Sequence, residues 1–284
     1  MGKPVVITAD STFDFSSEML KKYHVTSYPL AITLDDRVYR DGVDITPDDI
    51  YAQYREKKKL PKTSAVSPGE YKDFFEGFTK QGYAVVHINL STGLSVTHNN
   101  ALLAAQELED VYPVDSLNLS TGIGLIVVRA CEMRDSGMEA PAIVEELKKM
   151  IPLSRASFVL DTLEFLHKGG RCSGVAALGA NLLKLKPCIE VVDGKMIVGK
   201  KYRGKLDMVL EQYTRDKLAG RDDIDLSRVF ITHSGISEDI INRVKAVICE
   251  CCNFKEILVT RAGCTITSHC GPNTLGVLFM VKPE

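Results

Sequence analysis

Short apolar segments alternate with amphipathic stretches along the first half of this chain, and that alternation limits the folds open to it. Residues 5–9, 83–90 and 112–119 carry the aliphatic and β-branched side chains of strands. Between them lie helix signals. Thr46-Pro47-Asp48-Asp49 supplies an N-cap, a proline at the first helical position and an acid in the first turn. Ser67-Pro68-Gly69-Glu70 repeats the device as a capping box. Behind it Tyr71, Phe74, Phe75 and Phe78 fall at i, i+3, i+4 and i+7, one apolar helix face. Further helices are predicted over 95–108 and over 122–134, the second apolar nearly all round and therefore buried. Strands joined through helices at this pitch pair in parallel within a layered sheet.

The pattern changes near Ser154. A strand over 156–160 leads into the glycine-rich run KGGRCSG at 168–174, read as a loop. Asp193-Gly194, between apolar segments 188–192 and 195–198, is a strong two-residue hairpin signal. Helices over 205–218 and 237–248 and strands over 229–232, 257–260 and 275–281 complete the chain. Hairpins mixed with helices indicate an α+β unit. The fold class expected for the 284 residues is α/β. A layered α/β domain with a largely parallel sheet would occupy 1–155, and an α+β domain 156–284.

A formal net charge of −2 supplies no field for non-specific nucleic-acid binding, and no nucleic-acid partner is expected. No apolar run approaches the roughly 20 residues that span a bilayer. The first ten residues lack the apolar region and cleavage site of a signal peptide. A cytoplasmic location is therefore expected, with transient surface contact the one membrane role left open. In that reducing compartment the eight cysteines read as core residues rather than disulfides. The alternative is a structural zinc on Cys249, Cys251, Cys252 and His269, although the paired knuckles usual for zinc are not evident. Between 184 and 205 seven basic residues (Lys184, Lys186, Lys195, Lys200, Lys201, Arg203, Lys205) stand against Glu190 and Asp193. They form either a solvated hairpin or a docking surface for an acidic partner.

Four loops beyond a strand or before a helix carry small hydroxyl residues: Asp10-Ser11-Thr12, Thr63-Ser64, Ser91 to Ser95, and Ser116 to Gly122. In parallel α/β sheets, ligands bind outside the carboxyl ends of the strands. Hydroxyls clustered there donate to an anion without bringing a full positive charge. Ser95 also stands at a predicted helix N-terminus, where free backbone N–H groups favour anions. For any one of these residues alone, helix capping is the simpler role. Other motifs fail. Gly122-Ile123-Gly124 has Val127 where a dinucleotide fingerprint needs its third glycine, and no GxSxG elbow is present. A dispersed Ser95–His269–Asp115 set keeps open a serine-dependent hydrolase acting on a lipid-like substrate, since triads are defined by geometry.

Seven segments in order carry a resemblance that covers nearly the whole chain: ITADST (7–12), TSAVSP (63–68), INLSTGLSVTHNNA (88–101), PVDSLNLSTGIG (113–124), LDTLEFLHKGGRCSG (160–174), LKPCIEVVDGKM (185–196) and SHCGPNTLGVLF (268–279). Together they resemble the DegV family of bacterial lipid-binding proteins. The resemblance implies a long-chain fatty acid as ligand, buried in a tunnel, with no other cofactor and no catalytic residue. It also implies a separate fatty-acid kinase as partner, which turns the presented carboxylate into an acyl phosphate for phospholipid synthesis. By the same likeness Thr63 and Ser95 contact the carboxylate, His269 belongs to that network, and Arg171 supports it or the partner surface. There are departures. The family's LSGTY is Leu94-Ser95-Val96-Thr97-His98 here, TSQPS is Thr63-Ser64-Ala65-Val66-Ser67, and GPG is Gly271-Pro272-Asn273. The serine, threonine and histidine survive, while the lost glycines would alter loop geometry at the head group.

Overall fold

The alternation in the first half is realised around β1 (Val5–Asp10). The computed structural model describes residues 2–172 and 185–283. In it β1 runs parallel to β2 (Val25–Tyr28) and β6 (Ala84–Asn89), and β7 (Val111–Asp115) completes a parallel sheet of order β2-β1-β6-β7. Every residue of β6 is buried, as a central strand covered on both faces requires. Helices α3 (Pro68–Thr79) and α4 (Thr97–Ala105) cover one face, where Tyr71 and Phe75 pack with Val85 and Ala101. The expected capping box forms at Ser67 of α3, and the expected N-cap at Thr46 of α2 (Pro47–Lys57) is completed to a box by Asp49.

On the other face lies α5 (Thr121–Asp135), with α6 (Ala140–Met150) beside it. The second sheet runs β10-β9-β8-β13-β11-β12 and is antiparallel except for β11–β12. Its strands are β8 (Ser154–Val159), β9 (Leu185–Val192), β10 (Lys195–Arg203), β11 (Ile224–His233), β12 (Glu256–Arg261) and β13 (Leu275–Val281). Helix α5 packs on β1 and β6 of the first sheet and on β8 and β13 of the second. That double contact explains its apolar surface all round. Helices α8 (Leu206–Leu218) and α9 (Glu238–Cys251) supply the core on the far side of the second sheet. The fold class is thus the mixed α/β one expected. Among the described residues no helix is long and apolar enough to cross a membrane.

Several elements depart from expectation. A small antiparallel sheet, β4 (Arg37–Arg40), β3 (Ala31–Leu34) and β5 (Lys62–Ser64), is not among the predicted elements, and neither is α1 (Ser17–Tyr23), although Ser16 caps it and Glu18 and Lys21 complement its ends. Strand β7 stops at Asp115 because Leu117 and Ser120 turn with φ of 48° and 52°. Helix α4 begins at Thr97, so Ser95 stands outside it. Lys168 and Gly169 close a helix, α7 (Glu164–Gly169), rather than opening a loop, while residues 173–174 of that run lie outside the described residues. Helix α10 (Cys264–Cys270) was hidden by Thr265, Ile266 and Thr267, whose branched side chains disfavour helix. Cys131, Cys172, Cys188, Cys264 and Cys270 are buried, but Cys249 is exposed and Cys251 and Cys252 are half-buried. The core reading fails for these three because the buried stripe of α9 runs through Ile241, Val244, Val247 and Ile248 and leaves Cys249 facing solvent.

Candidate functional site

A fully buried acid anchors the loop after β6. Asp10, the last residue of β1, accepts from the Tyr71 hydroxyl at 2.5 Å, Asn89 Nδ2 at 3.2 Å and the Leu90 backbone N–H at 3.1 Å, with His87 Nε2 at 3.1 Å. From Leu90 the chain enters a single tight turn in which the N–H groups of Leu94 and Ser95 both donate to the Ser91 carbonyl. Asp115 holds Thr92 through its N–H and its hydroxyl. The turn delivers Ser95, whose Oγ lies 2.8 Å from Thr97 Oγ1 and accepts from the Thr97 N–H at 3.2 Å.

The β9–β10 hairpin docks on this turn. Asp193 and Gly194 both have positive φ, the geometry of a type I′ turn. The Ser91 hydroxyl donates to the Gly194 carbonyl at 2.8 Å. The approach is so close that a Cβ on Gly93 would collide with that same carbonyl oxygen. Met196, two residues past the turn, is thereby brought over the space beneath the loop, and its own carbonyl lies 3.5 Å from Cys172 Sγ.

Opposite stands α10, packed on α2, α7 and β5. Thr265 and His269 are one helical turn apart and share a face. His269 Nε2 is 2.9 Å from Thr63 Oγ1, and Nδ1 is buried without a hydrogen-bond partner among the described residues. Burial first, and then the Arg171 guanidinium, push the imidazole down to about 4, so it is neutral at physiological pH. Arg171 is exposed and donates through Nη1 to the Gly169 carbonyl at 2.7 Å.

These elements enclose a cavity of about 420 Å³ that Thr63, Ser95, Arg171 and His269 line together. That volume falls within the roughly 300–1,000 Å³ usual for small-molecule sites. Leu119, Met196 and Ile266 border it and also border a second, smaller cavity of about 50 Å³, whose accessible walls are apolar and include Phe158, Leu166 and Leu278. The two cavities therefore share an apolar wall of Leu119, Met196 and Ile266, with Thr63, Ser95, Arg171 and His269 on the side of the larger one.

Other expected groupings do not assemble. Of the four hydroxyl loops, Thr63-Ser64 and Ser91–Ser95 bring hydroxyl residues to the larger cavity, while the Ser116–Gly122 loop lends it the apolar Leu119. Ser11 is hydrogen-bonded to Asp41, Ser116 to Asn118 and Ser120 to Asp14, so those loops anchor the fold. The Ser95–His269–Asp115 set is not joined: Ser95 pairs with Thr97, His269 with Thr63, and Asp115 with Thr92 and the Leu117 N–H. Among the described residues no group of three or more His, Cys, Asp or Glu side chains converges as metal ligands. Of the basic stretch, Lys186 and Lys200 pair with Asp161 and Asp216, and Lys184 lies outside the described residues. Lys195, Lys201, Arg203 and Lys205 are exposed. Leu119, Met196, Thr265 and Ile266 were missed as lining residues. The spacing of Thr265 and His269 would have flagged one of them had α10 been recognised.

The family model that matches this chain, over residues 4–282, is described as an uncharacterised protein of the DegV family. A DegV domain-containing protein of Clostridium acetobutylicum is 30% identical over 98% of this chain and 99% of its own. One from Clostridium perfringens is 32% identical over 98% of each. Among solved structures, a DegV family protein from Thermus thermophilus described by its fatty-acid binding superposes with a TM-score of 0.88 at 31% identity, covering 98% of this chain and 99% of that one. A stearic-acid-binding protein from Eubacterium ventriosum gives 0.82 at 27% identity, covering 99% of each.

Proposed function

The chain belongs to the DegV family, and from that premise we propose that it binds one long-chain fatty acid, with the carboxylate among Thr63, Ser95, Arg171 and His269 and the tail directed past Leu119, Met196 and Ile266. The observation that carries this reading is the convergence of Thr63, Ser95, Arg171 and His269 on one cavity whose apolar wall, Leu119, Met196 and Ile266, also borders a smaller apolar cavity. A tail of about 14 methylenes gains roughly 11 kcal/mol gross on burial, part of it consumed by ordering and desolvation. The carboxylate leaving water needs several donors. Ser95 and Thr63 supply hydroxyls, and Arg171 adds charge at the mouth.

His269 works through Thr63. A buried unpaired N–H is rarer than a buried unpaired acceptor, which assigns the proton to Nε2 and leaves Nδ1 bare. Nε2–H then donates to Thr63 Oγ1, and the threonine hydroxyl hydrogen is free for the ligand. The head-group residues come from both proposed domains, Thr63 and Ser95 from 1–155 and Arg171 and His269 from 156–284, so the carboxylate sits at their junction. Nothing in this set activates a nucleophile. The chemical step belongs to a partner, a fatty-acid kinase that phosphorylates the presented carboxylate, docking on the exposed cations Lys195, Lys201, Arg203 and Lys205.

Native mass spectrometry of the purified chain, followed by organic extraction, tests the binding reading. It predicts near-stoichiometric fatty acid. A folded chain that carries none and takes up no added palmitate would overturn it.

A further inference from the structure

The loop at Asp10-Ser11-Thr12 does not reach the cavity, and its neighbours explain its role. Asp14 and Asp41 are each only 4% exposed, and both meet the N-terminal end of α10. Asp14 accepts from the Gly263 N–H at 2.8 Å and lies 2.5 Å from the Ser120 hydroxyl. Asp41 accepts from the N–H groups of Cys264 at 2.7 Å and Thr265 at 3.0 Å, and from the Ser11 hydroxyl at 3.0 Å. Ser11 in turn receives the Leu30 N–H at 3.2 Å. A Cβ on Gly263 would stand 3.2 Å from an oxygen of each acid. Neither acid is paired with a lysine or arginine among the described residues.

Burying two acids together with no cation is unfavourable, and one neutral side chain is enough to cap a helix. Stability of α10 alone does not account for the arrangement. Its geometric effect is specific: three successive backbone N–H groups, at 263, 264 and 265, are tied to side chains from the first 41 residues. Helix α10 can neither turn about its axis nor slide without breaking those bonds. One turn beyond the last of them is His269.

We propose that Asp41, with Asp14 beside it, is a positioning residue of the head-group site, fixing the rotation of α10 that brings His269 Nε2 to Thr63 Oγ1. The proposal rests on the head-group reading above. Burial raises the Asp14 carboxyl to about 8, so the pair need not carry two charges at neutral pH. The Asp41 carboxylate, which receives two of the three N–H groups, is the larger of the two anchors.

The test is Asp41→Asn in the full chain, checked for folding by far-UV circular dichroism. Two quantities are then measured: the titration of the His269 imidazole by NMR, and palmitate affinity by calorimetry. With the helix released, His269 loses part of its burial, and its midpoint should rise from about 4 toward the ordinary 6.5. Palmitate binding should weaken about tenfold. Gly263→Ala, which keeps both acids and presses a methyl between them, should produce both changes in smaller measure and serves if Asp41→Asn does not fold. A folded variant whose His269 titration is unmoved overturns the proposal, whatever its affinity. A titration that moves while palmitate affinity stays constant upholds the positioning role and overturns the head-group reading instead.

Discussion

Removing the Thr63 hydroxyl has two separable consequences. Thr63 Oγ1 pairs with His269 Nε2 at 2.9 Å, while Nδ1 has no partner among the described residues. Thr63→Ala therefore leaves a mostly buried imidazole with neither nitrogen satisfied, which should destabilise the fold by about 1–3 kcal/mol. In the complex it also takes one hydroxyl from the carboxylate. A hydrogen bond to a charged group is worth about 1.5–3 kcal/mol, so the palmitate Kd should rise about 10- to 150-fold. Thr63→Ser keeps the oxygen and should stay within about threefold of the parent on both counts. Urea unfolding reads the first effect and calorimetric titration the second. Ser95→Ala should show the second effect as well, with a stability cost that arises at Thr97, whose hydroxyl and N–H it partners, rather than at His269. Palmitate affinity for Thr63→Ala within about threefold of the parent, with unchanged stability, would refute the relay from His269 through Thr63.

Gly93→Ala should force the hairpin tip off the serine turn at a cost of about 1–3 kcal/mol, and a bound fluorescent fatty acid should leave faster; an unchanged off-rate and stability would show that the Gly93–Gly194 contact is not needed. His269 stays neutral in the folded chain to about pH 4, whereas an unfolded histidine protonates near 6.5, so the folded state binds fewer protons between those values. Its contribution is full above 6.5 and lost as pH falls toward 4; the stability difference between the parent and His269→Asn should shrink by about 2–3 kcal/mol from pH 7 to 4, read by urea unfolding, and a constant difference would contradict it. Asp14, raised to about 8, gives a slope of opposite sign, which is why the comparison is with the variant rather than with pH alone. Reversing Lys201 and Arg203 to Glu should slow association with a cognate kinase, and salt should slow the parent as the Debye length falls toward about 8 Å; fatty-acid content should not change, and an on-rate insensitive to both would place docking elsewhere.

The sequence announced most of the sheet framework because its signals are local. The N-cap at Thr46, the capping box at Ser67, the Asp193-Gly194 turn and the all-round apolar surface of α5 each belong to a few neighbouring residues. The small sheet β4-β3-β5 was illegible because its strands are three or four residues long and carry no sustained alternation. Helix α10 was hidden for a different reason. Its residues favour strand, and what holds it as a helix is tertiary, the side-chain oxygens of Asp14 and Asp41 on its first N–H groups. The same holds for the hydroxyl loops. Composition marked all four as anion sites, yet only distant partners decide that Ser11 and Ser120 turn inward to Asp41 and Asp14 while Ser95 and Thr63 face a cavity. The wall of Leu119, Met196 and Ile266 brings together three distant segments, a relation no local window contains.

A crystal structure of the chain saturated with palmitate tests the central claim most directly. Electron density should place the carboxylate within about 3 Å of Thr63 Oγ1 and Ser95 Oγ, with the tail passing between Leu119, Met196 and Ile266 toward Phe158 and Leu278. Density for the acid in any other cleft, such as the groove between Tyr54, Arg55 and Phe165, with the chamber at Thr63 and Ser95 left to water, would contradict it.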